Sequence, residues 1–462
     1  MTRPADCSVT ELLEAYSAGT LSPRDVMADV ISRIEVSEPH LHALWAFEPE
    51  RALAEAAASE ARWQRGEPVG PLDGIPMTIK ENIATEGVPV PLGTAATALT
   101  PAKRDAPPAA RSREAGAIIF AKTTMPDYGM LSSGLSSFHA LARNPWNTAL
   151  NPGGSSAGAA AAGAAGYGPL HIGTDIGGSI RLPAGWCGLV GFKPSFGRIP
   201  IDPTYIGRVA GPMTRTVSDT AHLMAVLSLP DDRDPLSLPY QSLAWTNLST
   251  ELRGKRIGLW LDAGIGSDPE PEVRAAIQAA AKAFSDEGAI IEPVAPFLTR
   301  TMLDGLDRFW RTRSWSDLSR LEPERRARVL PYILAWAEGG QPLSGADVFH
   351  GFSQIEAMRD AALAATAPFD FILSPVSPMP AFPAELASPI HDPERPFEHI
   401  GFTVSANMSG QPAVSVNCGY TANGLPIGLQ IIGRRYDDLG VLRMAHAYET
   451  LRGPQRPWPT FG

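Results

Sequence analysis

From about residue 70 the chain alternates short apolar runs with Gly/Pro turns, as in GIPMTIKEN, GAIIFAKTT and PLHIGTD. Apolar runs of this length, bounded by turn residues, read as strands, and helical stretches fall between them. That alternation restricts the chain to an α/β sheet. A second stretch tightens the restriction. After Arg256, IGLWL reads as a strand, PEPEVRAAIQAAAKAFSDEG as a helix and AIIEPV as the next strand. Strand, crossover helix and strand imply parallel pairing. Strands return near the end in DFILSPV, PAVSVNCGY and PIGLQIIG.

Helices frame these strands. Ser8–Val9–Thr10–Glu11 is a capping box at the head of the first one. A second helix begins near Ser22–Pro23 and runs to about Glu38, and a third covers about Glu50 to Arg65; all three read as an outer layer. AGAAAAGAAGYGPL, residues 157–170, is too short and too rich in Gly and Ala to span a bilayer. It reads as a closely packed helix of small side chains. Residues from about 296 to 367 are helical and carry Phe309, Trp310, Trp315, Tyr332, Trp336, Phe349 and Phe352. These aromatics are expected to pack on the sheet. The rival expectation is that Phe309, Trp310, Trp315 and Trp336 form an apolar mouth over a site.

Composition excludes several classes. A chain of 462 residues with 44% hydrophobic and 19% charged side chains can build a large core. Its net charge of −10, without a long basic run, disfavours nucleic acid, and no apolar run suggests a membrane span. Cys7, Cys187 and Cys418 form neither a CxxC pair nor a zinc spacing, so no metal and no disulfide is expected. The first residues show no apolar segment of a signal peptide, and a cytoplasmic location is the expectation.

The chemistry centres on HIGTDIGGSIRLP, residues 171–183. It lacks the spacing of a P-loop or of a dinucleotide fingerprint. Read as a nucleophile turn, it presents Ser179 after two glycines, and the N–H groups of Ile176, Gly177, Gly178 and Ser179 converge as oxyanion donors. Alone, such a turn reads better as a plain loop, because Gly-Gly-Ser is common in loops. It also lacks a visible base: of the nine histidines none sits in a matching motif, and His171 is expected to pack on the preceding strand. Two other elements supply candidates. NPGGSSAG, residues 151–158, holds Ser155, and GIPMTIKEN ends an apolar strand on Lys80. A lone lysine usually snorkels to water, but desolvation can lower its pKa and make it a base.

Together and in this order, GIPMTIKEN, NPGGSSAG and GTDIGGSIRLP resemble the amidase signature family, with 24 residues from Ser155 to Ser179. RNPWN, GFKPSFGRIP, GPMTRTVSD, FDFILSPVSP and NMSGQPAVSVNCGYTANGLPIGLQIIGR extend the resemblance over about residues 5–455, most weakly between about 235 and 365. It implies the amidase signature fold, an α/β fold with a large central mixed β-sheet covered by helices on both faces. It also implies one domain over 1–462. Within it fall a helical layer (1–66), a catalytic signature core (67–230), a variable region with the βαβ unit and an aromatic helical cap (235–365) and the C-terminal part of the core (366–462).

The resemblance further implies a Ser–cis-Ser–Lys triad. Ser179 is the nucleophile, Ser155 the cis serine that relays its proton, and Lys80 the base. Ile176, Gly177 and Gly178, with Ser179, form the oxyanion hole, and Gly129, Met130, Leu131, Ser132 and Ser133 line the acyl pocket, although Ser132 and Ser133 fit a helix cap equally well. Asp175 is expected to support the turn and Arg181 to brace it; the alternative for Arg181 is a substrate carboxylate. Asn407 and Gln411 are expected to satisfy buried backbone. Two departures stand out: Ala157 replaces a glycine of the family's GGSSGG, and the acidic-aromatic pair after the lysine-threonine strand is Asp127–Tyr128.

The implied activity is hydrolysis of small hydrophobic or aryl amides through an acyl-enzyme, without a cofactor, as in an aryl acylamidase, with esters and carbamates as side substrates. A urethanase is one alternative within the family. Another is the A-type component of a glutamine amidotransferase, which works in a complex on charged tRNA. The expected partner is a small-molecule amide or carbamate, with neither nucleic acid nor membrane, and a homodimer is left open.

Overall fold

The computed structural model describes residues 3–461. Eleven strands form one mixed sheet. In chain order they are β1 (Leu44–Trp45), β2 (Pro76–Lys80), β3 (Ile118–Thr123), β4 (Leu170–Asp175), β5 (Val190–Lys193), β6 (Val209–Thr214), β7 (Arg256–Leu259), β8 (Ile290–Pro293), β9 (Phe371–Pro375), β10 (Ala413–Tyr420) and β11 (Pro426–Gly433). Across the sheet the order is β1-β3-β2-β4-β6-β5-β10-β11-β9-β7-β8. Every residue of β2, β3, β4 and β6 is buried. Helices therefore cover both faces, which is why these strands read as unbroken apolar runs rather than alternating ones.

The expected parallel pairing holds. β2 runs parallel to β3 and β4, and β7 runs parallel to β8 and β9. The other neighbours are antiparallel, among them β4 with β6 and β10 with β11. The helix Pro271–Asp286 makes the crossover from β7 to β8. Strands β1, β5 and β6 lie where the local pattern marks only turns and motif residues.

The outer helices begin at their caps. Ser8 and Glu11 close a capping box ahead of Val9–Ala18, and Ser22 with Asp25 does so ahead of Pro23–Leu41. The second helix runs three residues past the expected Glu38 and ends where His42 turns left-handed, at φ 50°. The third spans Pro49–Arg65.

The small-residue helix is Ala157–Ala165, and all of it is buried. A Cβ on Gly158 would stand 2.2 Å from the carbonyl oxygen of Ala43 and 2.4 Å from the nitrogen of Thr124. Side chains this small let the helix press onto the backbone beside β3. Among the described residues no helix is long and apolar enough to cross a membrane.

Candidate active site

The site lies where β2 and β4 end. Parallel neighbours bring their C-terminal ends to one edge, where α/β sheets leave a crevice. β2 delivers Lys80, β4 delivers Asp175, and the Gly-Gly turn after β4 carries Ser179 into the short helix Arg181–Cys187. Ser155 and Ser156 immediately precede the small-residue helix.

Lys80 is fully buried, with Nζ 2.8 Å from Ser155 Oγ and 3.1 Å from Ser156 Oγ. Among the described residues no carboxylate lies within ion-pair distance of it. The adjacent Glu81 is committed elsewhere: it accepts the Gly93 N–H at 2.6 Å and bonds His139. Burial drives Lys80 well below the ordinary lysine value and Arg208 adds to this, while Asp175 and Glu81 oppose it. A neutral amine offers a lone pair to a neighbouring hydroxyl, which is what a base in this position requires.

The Gly154–Ser155 peptide is cis. Ser156 ties the parts together. Its N–H donates to the Ser179 carbonyl at 3.2 Å, and its hydroxyl bonds both backbone polar groups of Thr174 at 3.2 Å. Sequence reasoning passed over Ser156, although it stands beside Ser155 in the same motif. Two adjacent serines against one buried lysine were the available signal. Ala157, the departure from the family pattern, simply begins the helix; the crowded position is Gly158, where the glycine is kept.

The nucleophile turn is held from below. Asp175 accepts N–H bonds from Gly178 at 2.8 Å and Ile180 at 3.1 Å, and Arg181 grips the carboxylate with Nε at 3.1 Å and Nη2 at 3.0 Å. The remaining guanidinium donors reach the Thr403 carbonyl at 2.9 Å, Gln430 Oε1 at 2.6 Å and Asn407 Oδ1 at 2.6 Å. With every donor engaged, Arg181 has none for a substrate carboxylate. Burial alone would push Asp175 up, but Arg181, Lys193 and the turn's N–H groups hold it well below the ordinary carboxylate range. Asn407 also donates to Asp175 at 2.9 Å and to the Gly207 carbonyl at 3.1 Å, and Gln411 donates to the Gly433 carbonyl at 3.0 Å. Asn407 thus serves the ion pair as well as backbone.

The oxyanion donors need one correction. Gly178 sits at φ 131° with its N–H bound to Asp175, so it is not free to meet an oxyanion. The N–H groups of Ile176, Gly177 and Ser179 have no partner among the described residues. The Ser179 hydroxyl likewise has none, and the link from Ser155 to Ser179 is unmade in this conformation. His171 is buried in β4 between Thr78 Oγ1 at 2.8 Å and the Gly168 carbonyl at 3.1 Å, and burial pushes it down to about 3. It is a neutral structural histidine.

Two spaces meet at Ser179. One is a tight pocket of about 40 Å³ whose lining includes Met130, Ser132, Gly177, Trp310, Phe397 and Ile400. The other is a chamber of about 700 Å³ that also reaches Ser155, Tyr128, Tyr205, Arg208 and Arg313. Gly129, Met130, Leu131 and Ser132 line the tight pocket, and Ser133 does not. Ser133 is buried; it donates to the Leu386 carbonyl at 2.9 Å and accepts from Asn151 at 2.8 Å and from the Leu135 N–H at 3.1 Å. It caps no helix either.

The aromatic mouth reduces to one residue. Trp310 packs against Phe397 at a ring distance of 5.2 Å and lines the tight pocket. Trp336 is buried with its indole N–H on Asp307, Phe309 packs on Phe352, and Trp315 lies under Arg326. On a helix, neighbours one and five positions from Trp310 face away from it.

The amidase family model matches residues 25–442. The chain is 32% identical to an acylamidase from Rhodococcus erythropolis, covering 98% of this chain and 96% of that one. It is also 32% identical to the A-type component of the glutamyl-tRNA(Gln) amidotransferase from Lachnospira eligens, covering 97% and 98%. Among solved structures it matches a bacterial aryl acylamidase of the amidase signature enzymes with a TM-score of 0.88 and 31% identity, covering 96% of each chain. A peptide amidase from Stenotrophomonas maltophilia matches at 0.84 and 28% identity, covering 99% of each. With the family model spanning most of its length and this architecture beneath it, the chain belongs to the amidase family, the amidase signature enzymes.

Proposed function

We propose that this protein hydrolyses the C–N bond of small hydrophobic or aryl amides through an acyl-enzyme on Ser179. The observation that carries the reading is the buried Lys80 amine on Ser155 Oγ at 2.8 Å, in a chamber that Ser155 and Ser179 share. As the Ser179 hydroxyl turns toward Ser155, its proton passes through Ser155 to Lys80 and its oxygen attacks the carbonyl carbon. The N–H groups of Ile176, Gly177 and Ser179 receive the negative charge. Collapse breaks the C–N bond while the proton returns through Ser155 to the departing nitrogen. Water then attacks the acyl ester by the same route, releasing the acid and restoring Ser179.

This route orients the substrate. The leaving nitrogen takes its proton from Ser155, and Ser155 lines the chamber but not the tight pocket. The amine half therefore occupies the chamber and the acyl half the pocket beside Trp310. About 40 Å³ accommodates an acyl group of only a few heavy atoms.

Labelling with a sulfonyl fluoride tests the assignment. Modification at Ser179, with parallel loss of acetanilide hydrolysis, is the expected result; labelling elsewhere overturns it. Esters and carbamates pass through the same tetrahedral intermediate and enter as side substrates, and a carbamate turned over faster than its matching amide would make the urethanase reading the better one. The amidotransferase reading rests on the relatives that bear that name. Anilide hydrolysis by the purified chain without partners excludes dependence on a complex.

A further inference from the structure

Arg208 immediately precedes β6, whose Val209 pairs with Asp175 of β4. That register sets Arg208 beside the start of the nucleophile turn. Its guanidinium lines the chamber, and its one hydrogen bond among the described residues goes from Nη1 to the Pro203 carbonyl at 3.2 Å. A guanidinium has five donors. Arg313, from the helix Arg300–Leu318, lines the same chamber and lies over the Tyr205 ring at 4.0 Å. The Tyr205 hydroxyl is buried without a partner among the described residues.

Three carboxylates line the chamber, and none comes within ion-pair distance of either arginine; Asp175 is held by Arg181 at 3.0 Å. Asp202 is paired with Arg104 at 3.1 Å, and Asp317 lies one turn beyond Arg313. Burial, with Arg313 adding to it, pulls Arg208 down to about 10 against the pull of Asp202. Two cations are thus held together on a partly apolar wall, with most of their donors unpaired. Such an arrangement repels itself until an anion enters.

Resting on the amide-hydrolase reading above, we infer that Arg208 and Arg313 form a carboxylate subsite that selects amides whose amine half bears a carboxylate. Arg208 and Ser155 line the chamber and not the tight pocket, which puts Arg208 on the leaving-group side, while Arg313 borders both spaces. An N-acyl aminobenzoate is the simplest probe. Hydrolysis consumes one water and yields the short carboxylic acid and the aminobenzoate. A guanidinium binds a carboxylate with paired, charge-assisted bonds, whereas a nitro group of the same shape carries no net charge.

The test compares N-acetyl-3- and N-acetyl-4-aminobenzoate with 3- and 4-nitroacetanilide. We expect kcat/KM to favour at least one carboxylate over its nitro partner by about 10- to 100-fold. In Arg208→Gln that ratio falls to about one, chiefly through KM; Arg208→Lys restores part of it, and Arg313→Gln lowers it by less. Calorimetry on the Ser179→Ala protein reads the subsite without turnover, and tighter binding of the carboxylate than of its nitro partner, lost with Arg208→Gln, is the expected outcome. Equal handling of both probe types by the wild-type enzyme and by Ser179→Ala overturns the inference, as does a preference that survives both arginine changes. Selective binding to Ser179→Ala without turnover of any amide by the wild type keeps the subsite and overturns the hydrolase reading instead.

Discussion

Arg181, in the turn that carries Ser179, has a partner for each of its donors, whereas Arg208, on the chamber wall nearby, has one. The contrast extends to their surroundings. Under the turn, Asp175, Asn407, Gln430 and Thr403 close a fully buried network. Along the chamber, Arg208 and Arg313 line the open space with donors to give. An arginine whose donors are all filled is architecture, and its removal damages the fold. One left unfilled in the chamber that holds the proposed nucleophile is available to a ligand, and its removal is expected to change selection.

The largest effect lies at the point both regions serve. Ser179→Ala should lower anilide turnover by about a million-fold or to the detection limit, with an unchanged melting temperature. Next comes Lys80→Ala, which should lower amide hydrolysis by about a thousand-fold or more and ester hydrolysis by less, because only an amine needs a proton to leave. Equal losses on both substrates would remove the base assignment. Lys80 acts as a base only when neutral, and its pKa is lowered. Wild-type kcat/KM should therefore rise with pH and level off below the ordinary lysine value of 10.5.

The arginine contrast is read directly by stability. Arg181→Met leaves the Asp175 carboxylate buried and unpaired and should cost about 3–5 kcal/mol in denaturant unfolding. Arg208→Gln should change stability by about 0.5 kcal/mol or less; similar losses for both variants would break the contrast. Asp175 adds a pH signature. Its depressed pKa means the stabilisation is complete above the ordinary carboxylate value of 3.8 and is lost as pH falls toward the folded value. A milder effect on turnover is expected at the tight pocket. Trp310→Ala should raise the rate for butyryl relative to acetyl anilides by about tenfold. Phe309→Ala and Trp315→Ala, whose side chains do not line that pocket, should leave the ratio unchanged.

The strands that carry Lys80 and Ser179 were legible because an apolar run between turn residues has a local signature. Their motif residues stand at set distances along the chain, so Lys80, Ser155 and Ser179 were legible as members of one site. Other features needed neighbours that only folding supplies. Gly178 reads as one more N–H donor until Asp175 is seen to occupy it. Ser133 reads as pocket until its bonds to Leu386 and Asn151 appear. Four aromatics in a helical segment read as a mouth, but of the four only Trp310 lines the pocket at Ser179.

By itself the sequence determined the α/β class, the helix caps, the parallel βαβ unit and the residue types of a serine-serine-lysine site. These depend on local propensity, on periodicity or on motifs within short segments. Only the tertiary structure decided the strand order, the part played by Ser156, which N–H groups stay free, and which arginine is braced and which is open. Arg181 and Arg208 are the same residue type, each close to β4. What separates them is the set of partners packed around each: for Arg181 the nearby Asp175 together with segments more than two hundred residues away in the chain, and for Arg208 little but Pro203, five residues before it.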